Sequence, residues 1–370
     1  MGKLNLLLNN KVKNLIVKRA KLFAKMNEAR FLKRRIPLVT YLLVTDRCDL
    51  RCSYCFVDVK TKKDELTTLE WINLIDKLYA EGTRMLCFMG GEPLIHKEID
   101  RLVDYAVSKG MIVDMTTNGT QVSKKMDTIK KLDSLMISID GDEEGHDSNR
   151  GEKSFQKAKD AMIMARNAGV IVRINAVMTQ QSVHGVDYLL DMADEYDLWI
   201  TFSITAEFPE NAKDLEPSIK LGDEDIRKLY KKLKVLKAQG RRVLFSEETI
   251  DYVIDYPLPF DQIILRDDKE NLKYSQGLCP FGQHLIYVDA TGDFYPCASL
   301  WNGDLYQPKN CRNDSFEEAW GHMATLKCAT CFCPGVPEWN RIMSVKGISD
   351  GVKVTFKQAF SKLSPNKSVN

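Results

Sequence analysis

Short apolar runs alternate with amphipathic helical patterns through residues 37–208. The six runs are 38–45, 84–89, 111–116, 134–140, 170–178 and 198–204. A continuous apolar run is typical of a strand buried on both faces, and a helix between two such strands makes a crossover. The pattern therefore predicts an α/β fold with a parallel sheet. Six units in a row favour an open barrel over a flat doubly wound sheet.

The helical patterns between these runs lie at 68–81, 97–109, 153–168 and 186–196. The first begins with a capping box, because the Thr67 and Glu70 side chains can satisfy each other's backbone N–H groups. Beyond residue 208 the alternation stops: 209–222 is polar, 223–239 is a lysine-rich helical pattern and 240–275 is irregular. We divide the chain into a basic N-terminal helix (1–36), the α/β core (37–208), a connecting segment (209–275), a cysteine-rich module (276–340) and a basic tail (341–370).

The overall composition excludes several classes of protein. A formal net charge of +2 over 370 residues gives no general reason to expect a nucleic-acid partner, and we expect none. No apolar run reaches the roughly 18 residues that a membrane span requires. The N-terminus lacks the apolar core and cleavage site of a signal peptide, so a cytoplasmic location is expected.

The ten cysteines are unevenly placed, with three in residues 48–55, six in 279–333 and Cys87 between the two groups. Disulfides are rare in a reducing compartment, so grouped cysteines there indicate a metal site. Cys87 lies inside the second apolar run, where a free cysteine is expected to be a small buried hydrophobe.

The first predicted strand leads directly into Cys48, Cys52 and Cys55. In a parallel barrel the loop after a strand lies at the C-terminal mouth, where reactive sites collect. Three thiolates can bind three irons of a four-iron cubane, which leaves the fourth iron open to a cofactor or substrate. Zinc is the alternative, but it normally takes four ligands, and this stretch offers three.

The CxxxCxxC spacing of this loop resembles the signature of the radical S-adenosylmethionine (AdoMet) superfamily. Two further motifs strengthen the resemblance. Met89-Gly90-Gly91-Glu92-Pro93 is similar to the family's GGE(P) motif. The segment from Ser138 to Gly151 looks like the family's SxDG…HDxxRG run. Together these motifs cover roughly residues 38–205, and they imply a partial (β/α)6 TIM-like radical SAM barrel that binds a [4Fe–4S] cluster and AdoMet.

The resemblance also implies roles for residues near the first cysteines. Glu92 would accept the ammonium group of AdoMet's methionine moiety, and Gly90 and Gly91 would let the backbone approach the ligand closely. Tyr54, just before Cys55, would lie against adenine.

Four later residues would complete the implied cofactor site. Ser138 would bond the ribose or the carboxylate of AdoMet, and Arg150 would pair with the carboxylate through its planar guanidinium. Asp140 belongs to the same motif. Asn118, at the end of the third strand, either lines the pocket or forms a simple turn.

The second group of cysteines surrounds a predicted hairpin with strands at 284–289 and 293–296 and a turn at Ala290-Thr291-Gly292. An antiparallel hairpin brings the residues at its open end together, so Cys279 and Cys297 should converge. Cys328, Cys331 and Cys333 follow and can supply two or three more thiolates.

The order of these cysteines resembles the auxiliary-cluster extension of SPASM and twitch radical AdoMet enzymes. It implies one auxiliary [4Fe–4S] cluster in a small twitch- or SPASM-like C-terminal module. The implied ligands are Cys279, Cys297, Cys328 and Cys331, with Cys333 as the substitute for Cys331. Cys311 is expected to be a bystander. A structural zinc held by four thiolates is the alternative.

The two ends of the chain are basic. Residues 1–36 contain eleven Lys and Arg residues and one acidic residue, Glu28. One helical face is apolar, although Arg19 interrupts it: Leu4, Leu8, Val12, Leu15, Leu22, Phe23 and Met26. Such a helix can lie on an anionic membrane surface as a peripheral anchor. The alternative is a helix packed over the barrel with its lysine face in solvent. The shorter stretch 352–363 has a similar pattern.

These motifs predict a radical AdoMet enzyme that forms a 5′-deoxyadenosyl radical and abstracts hydrogen from a substrate, with an auxiliary cluster assisting. A reductant such as flavodoxin or ferredoxin would be its partner. We expect a lipid or another small molecule as substrate, because peptide-modifying members often carry a leader-recognition domain and 36 residues are too few for one. The alternatives are a peptide- or protein-modifying maturase and a non-catalytic electron carrier. The sequence assigns no catalytic residue.

Overall fold

The computed structural model of the chain describes residues 10–57, 64–205, 215–274, 279–301, 305–344 and 347. Six parallel strands form the core of its main sheet, and they correspond to the six apolar runs: β1 Val39–Leu43, β2 Met85–Met89, β3 Ile112–Thr117, β4 Ser134–Ser138, β5 Ile171–Met178 and β6 Trp199–Ile204. Each strand pairs in parallel with the next one along the chain. The six strands therefore follow one another in chain order, which confirms the predicted partial barrel.

The described helices are α1 Asn10–Phe31, α2 Thr68–Glu81, α3 Ile99–Ser108, α4 Met126–Ile129, α5 Glu143–Arg150, α6 Ser154–Asn167, α7 Val186–Tyr196, α8 Asp223–Ala238, α9 Glu247–Asp255, α10 Phe316–His322 and α11 Gly335–Ile342. The capping box that starts α2 is present, with the Thr67 and Glu70 side chains each accepting from the other's backbone N–H. Most of the described helices bury apolar side chains with the strands in one continuous core, whereas α1 packs in a smaller cluster. Cys87 belongs to a smaller cluster and is 5% exposed, as expected.

Five further strands follow, of which the first lies in the connecting segment and the other four lie in the cysteine-rich module: β7 Ile263–Leu265, β8 Leu285–Val288, β9 Asp293–Tyr295, β10 Lys309–Asn310 and β11 Cys328–Cys331. The predicted hairpin is present as β8 and β9, and Gly292 in its turn has a positive φ of 93°. β8 also pairs in parallel with β1, so the hairpin extends the barrel sheet. β7 and β11 form a separate antiparallel pair.

The expectation of irregular structure at 240–275 is wrong for part of that range. Helix α9 lies there, and the Ser246 side chain caps it by accepting from the backbone N–H of Thr249. β7 lies there too, because it pairs with β11 far along the chain. The helix is only nine residues long and the strand only three, so neither shows a clear periodicity in the sequence.

Helix α1 packs over the barrel, which was the alternative to a membrane-bound helix. Leu22, Phe23, Met26 and Ala29 of its apolar face lie in a cluster with residues of β1 and β8. Lys18 forms an ion pair of 2.6 Å with Asp133. Leu4, Leu8, the side chain of Val12 and the 352–363 stretch lie outside the described residues. In the part of the chain that the structure describes, no helix is both long and apolar enough to cross a bilayer.

Candidate functional site

The predicted site residues of the barrel lie on loops that follow the C-terminal ends of β1 to β4. Because neighbouring strands are parallel and in register, these ends meet at one edge of the sheet. The loop after β1 carries the three cysteines, and the loop after β2 carries the Gly-Gly-Glu motif. Asn118 follows β3, and Ser138 is the buried last residue of β4.

Gly90 and Gly91 pack directly against the backbone that leads into the cysteine loop. Gly91 N–H donates to Thr45 O at 2.7 Å, and Glu92 N–H donates to Arg47 O at 2.8 Å. A Cβ atom on Gly90 would lie 2.3 Å from Thr45 O, and one on Gly91 would lie 2.4 Å from Arg47 O. Gly90 also has a φ of 154°. A side chain at either position would prevent the two loops from approaching this closely, so both positions require glycine.

Glu92 is a fully buried carboxylate between β2 and β3. Its Oε1 accepts from Thr117 Oγ1 at 2.8 Å and from Leu94 N at 3.0 Å, and its Oε2 accepts from Asn118 N at 2.8 Å. Burial raises the pKa of Glu92 to about 7. An ammonium group beside this carboxylate would favour its ionised form, which suits the implied contact with AdoMet's amino group.

Asn118 links the loop after β3 to the cysteine loop. Its Nδ2 donates to Asp49 Oδ1 at 2.9 Å and lies 3.8 Å from Cys48 Sγ. Asp49 also accepts from Thr120 Oγ1 at 2.6 Å and from Gln121 Nε2 at 2.8 Å. Asp49 was not among the residues predicted from the sequence, although an acidic residue directly after the first cysteine is a visible signal. These bonds fix the position of the cysteine loop relative to β3.

Asp140 binds two residues of the predicted site, Arg150 and Tyr54, from a fully buried position. Its carboxylate accepts two hydrogen bonds from Arg150, at 2.7 Å from Nε and 3.0 Å from Nη2. It also accepts from the Tyr54 hydroxyl at 2.6 Å and from Val177 N at 3.0 Å. The sequence paired Arg150 with the carboxylate of AdoMet, but here two of its nitrogens contact Asp140. Its Nη1 lies 3.9 Å from Cys52 Sγ, so the guanidinium faces the cysteine loop.

The three thiols of this loop differ in exposure, since Cys48 and Cys52 are half-buried and Cys55 is exposed. Burial raises the pKa of both Cys48 and Cys52 to about 11, so iron would have to displace their protons. Within the described ranges, no three His, Cys, Asp or Glu side chains converge around a single ion. In a cubane each thiolate binds a different iron, so the sulfurs lie farther apart than they would around a single ion. Three cysteines on one loop can therefore hold such a cluster.

The second group of cysteines lines one cavity of about 190 Å³. Its thiols are the five that the sequence singled out as ligands: Cys279, Cys297, Cys328, Cys331 and Cys333. Burial raises the pKa of Cys297 and Cys328 to about 12. Cys311 does not line this cavity and instead packs beneath the hairpin turn, where a Cβ on Gly292 would lie 2.6 Å from its sulfur. Five thiols around one space suit an auxiliary cluster.

The inner wall of the barrel forms the other side of this cavity. Tyr41 of β1 and both Thr201 and Ser203 of β6 line it together with the cysteines. The Tyr41 ring stacks on Tyr287 of β8 with their centroids 4.4 Å apart. These residues were not predicted from the sequence, although Thr201 and Ser203 show the period-two polar spacing of one strand face. The cysteine module and the barrel lumen therefore share one space.

The comparisons with known proteins agree with this geometry. Residues 42–194 match the model of the radical SAM superfamily, and this part of the chain is a radical SAM domain. The family uses a [4Fe–4S] cluster and AdoMet, and its SPASM-type members carry auxiliary clusters. The predicted class of enzyme is confirmed, together with the [4Fe–4S] cluster and the AdoMet that the family uses.

Several curated relatives are similar over different lengths of the chain. Fe-coproporphyrin III synthase of Methanosarcina barkeri is 32% identical over 172 residues, which are 45% of this chain and 43% of that protein. The mycofactocin maturase MftC of Mycolicibacterium smegmatis is 27% identical over 318 residues, or 80% of this chain and 75% of MftC. PqqA peptide cyclase of Bradyrhizobium diazoefficiens is 28% identical over 273 residues, or 71% of this chain and 67% of the cyclase. The chain thus spans less than half of the first relative.

Two solved structures share the fold. Streptococcus suis SuiB bound to AdoMet has a TM-score of 0.62 at 17% identity, over 84% of this chain and 70% of SuiB. The AdoMet-bound enzyme anSMEcpe has a TM-score of 0.61 at 17% identity, over 88% of this chain and 98% of anSMEcpe. Both similarities extend beyond the barrel, so they confirm the predicted fold class of a radical SAM barrel followed by a cysteine-rich region.

Proposed function

We propose that this protein is a radical AdoMet enzyme that modifies a peptide, which was the alternative to the small-molecule substrate expected from the sequence. The relatives that align over more than 70% of the chain are named as a maturase and a peptide cyclase. The porphyrin enzyme aligns over only 45% of it. A peptide substrate therefore accounts better for the part of the chain beyond the barrel core.

Cys48, Cys52 and Cys55 would hold the first cluster, and the buried Glu92 with the loops around it would receive AdoMet. When bound, these cofactors supply a 5′-deoxyadenosyl radical through one-electron reduction of the sulfonium, and a reductant such as flavodoxin or ferredoxin provides the electron. The packed loops after β1, β2 and β3 would position the ligands at this end of the barrel.

The second group of thiols would hold the auxiliary cluster beside the substrate. Cys279, Cys297 and Cys328 would be ligands, together with Cys331 or Cys333. The wall opposite these sulfurs presents hydroxyl and aromatic groups, and none of the described residues that line the cavity carries a charged side chain. This surface suits an uncharged part of a peptide, such as an aromatic or aliphatic side chain. A cluster held by these thiols would supply an acceptor for the electron that the substrate gives up, together with a proton, after loss of its first hydrogen atom.

The observation that carries this proposal is the contact between the cysteine loop and the Gly-Gly-Glu loop, with the second cysteine-lined cavity open to the barrel wall. The first test is formation of 5′-deoxyadenosine by anaerobically reconstituted, reduced protein supplied with AdoMet. We expect Cys48→Ala, Cys52→Ala and Cys55→Ala to abolish it, whereas Cys311→Ala should retain it. An electron carrier would form none under any condition, and a zinc protein would bind zinc without iron.

The second test concerns the substrate. Peptides encoded beside the gene would be incubated with the reduced enzyme and AdoMet, and their masses would be measured. We expect loss of two hydrogen atoms from a peptide, with one 5′-deoxyadenosine formed per event. If 5′-deoxyadenosine forms but rises only with a lipid or another small molecule, the peptide assignment fails while the radical AdoMet assignment stands.

A further inference from the structure

The C-terminal end of α1 presents a group of residues that the proposed chemistry does not use. Residues 30–35 read Arg-Phe-Leu-Lys-Arg-Arg, and we call this segment the basic tip. Phe31 is 72% exposed and Leu32 is 58% exposed, although the apolar face of the same helix packs on the barrel. Two large apolar side chains thus lie in water between cations.

A cavity of about 290 Å³ lies against the basic tip. All four cations of the basic tip line this cavity, and there is no Asp or Glu among the described residues that line it: Ala29, Arg30, Lys33, Arg34, Arg35, Gln283, His284 and Met343. Four positive charges around one open space attract an anionic group such as a phosphate.

Arg35 fixes the basic tip to the cysteine module. Its Nη2 donates to Gly282 O at 2.8 Å and to Trp320 O at 2.9 Å, and its guanidinium lies 4.3 Å from the centroid of the Trp320 ring. Lys33, two residues after the end of α1, has a positive φ of 50°, so the helix does not continue past Phe31 and Leu32. Arg35 therefore anchors the C-terminal end of the basic tip to the cysteine module.

We propose that the basic tip binds a membrane surface rich in anionic phospholipid. The cations would contact phosphate headgroups, while Phe31 and Leu32 would enter the boundary with the acyl chains. This contact differs from the one that the sequence predicted, because the apolar face of α1 is occupied by the barrel. An acidic peptide would match the cations but would leave Phe31 and Leu32 in water, so lipid is the better match.

The test is co-sedimentation of the full-length protein with vesicles of phosphatidylcholine alone and of phosphatidylcholine with phosphatidylglycerol. The main variant is Arg30→Gln/Lys33→Gln/Arg34→Gln, which leaves the structural Arg35 in place. Its matched control is Lys228→Gln/Lys231→Gln/Lys234→Gln on α8, where the three lysines are exposed. A Phe31→Ser/Leu32→Ser variant tests the apolar contact.

We expect the wild type to bind the anionic vesicles, and more weakly as salt is added. Each cation removed from the tip should weaken partition roughly fivefold, or about a hundredfold for the triple variant, and the α8 control should match the wild type. The Phe31→Ser/Leu32→Ser variant should also bind less.

Equal binding to both kinds of vesicle, or an unchanged triple variant, would overturn the proposal. So would binding of poly-glutamate in preference to vesicles. AdoMet cleavage is measured separately and should be unchanged in these variants.

Discussion

Asp140 and Arg150 form a buried, two-point ion pair beside the cysteine loop. Both oxygens of the carboxylate accept from the guanidinium, and the side chains are 0% and 8% exposed. The same carboxylate accepts from the hydroxyl of Tyr54, which directly precedes Cys55. One acidic side chain therefore fixes both the cation that faces Cys52 and the aromatic ring next to Cys55.

Asp140→Asn should destabilise the apo-protein by about 3 kcal/mol, because the substitution leaves a buried guanidinium without its counter-charge. Urea unfolding followed by circular dichroism measures this change. The control is Asp127→Asn, the same substitution at a fully exposed side chain, which should change stability by less than about 0.5 kcal/mol. If the two variants are equally stable, Asp140 does not carry the role that its contacts indicate.

Gly91→Ala should reduce the iron bound at the first cysteine loop several-fold, because the new methyl group would displace the backbone at Arg47. Iron content and the AdoMet-induced change in the electron paramagnetic resonance signal measure this effect after reconstitution. Gly321→Ala in α10 is the matched control, since a Cβ there meets no atom within 4 Å. Thermal unfolding of both apo-proteins shows whether Gly91→Ala still folds. A folded variant with wild-type iron and spectrum would contradict the packing argument.

The strands and helices of the barrel could be predicted because their signals are local. Each core strand is a continuous apolar run between helices, and Thr67 with Glu70 marks the start of α2 three residues apart. The order of the strands follows from parallel crossovers between neighbours. Because all six strands are parallel, their C-terminal ends lie at one edge of the sheet, and the site residues that follow those ends must meet there.

The relationships that could not be predicted all join distant parts of the chain. β8 pairs with β1 across more than two hundred residues, and β7 is a strand only because β11 lies beside it. No sequence pattern identifies Asp140 as the partner of Arg150, since an arginine in this motif could equally bind a ligand. The same holds for Tyr41 and Ser203, whose position beside the second thiols depends on how the barrel and module pack.

The thiols of the second cavity can be replaced one at a time. We expect alanine at Cys279, Cys297 or Cys328 to remove the auxiliary cluster. That loss is roughly half of the iron in a protein with two [4Fe–4S] clusters. Cys331→Ala and Cys333→Ala should differ, because only one of these thiols is needed to complete four ligands. Iron analysis and Mössbauer spectra of the reconstituted variants measure the loss. Cys311→Ala is the control, and it should keep the full iron content because its sulfur lies outside the cavity. Loss of iron from that control equal to the others would refute the assignment.

Arg312 connects the cysteine module to the start of α2. Its Nε donates to Glu70 Oε1 at 2.7 Å, and its Nη1 donates to Asp64 Oδ2 at 2.9 Å. The hydrogen bond from Arg312 lowers the pKa of Glu70 to about 2 from its ordinary value of 4.5. The pair is partly exposed to solvent, so Arg312→Gln should cost about 1 kcal/mol at neutral pH.

The pH dependence of that loss follows from the direction of the shift in the pKa of Glu70. Above pH 4.5 the carboxylate is ionised in both the folded and the unfolded chain, so the full difference between wild type and Arg312→Gln is present. As the pH falls from 4.5 toward 2, the unfolded chain takes up a proton that the wild-type fold resists, and the difference should shrink toward zero. Urea unfolding of both proteins across this range measures it, with the exposed Lys231→Gln as a charge-matched control. A difference that stays constant down to pH 2 would mean that Arg312 stabilises the fold without acting on the charge of Glu70.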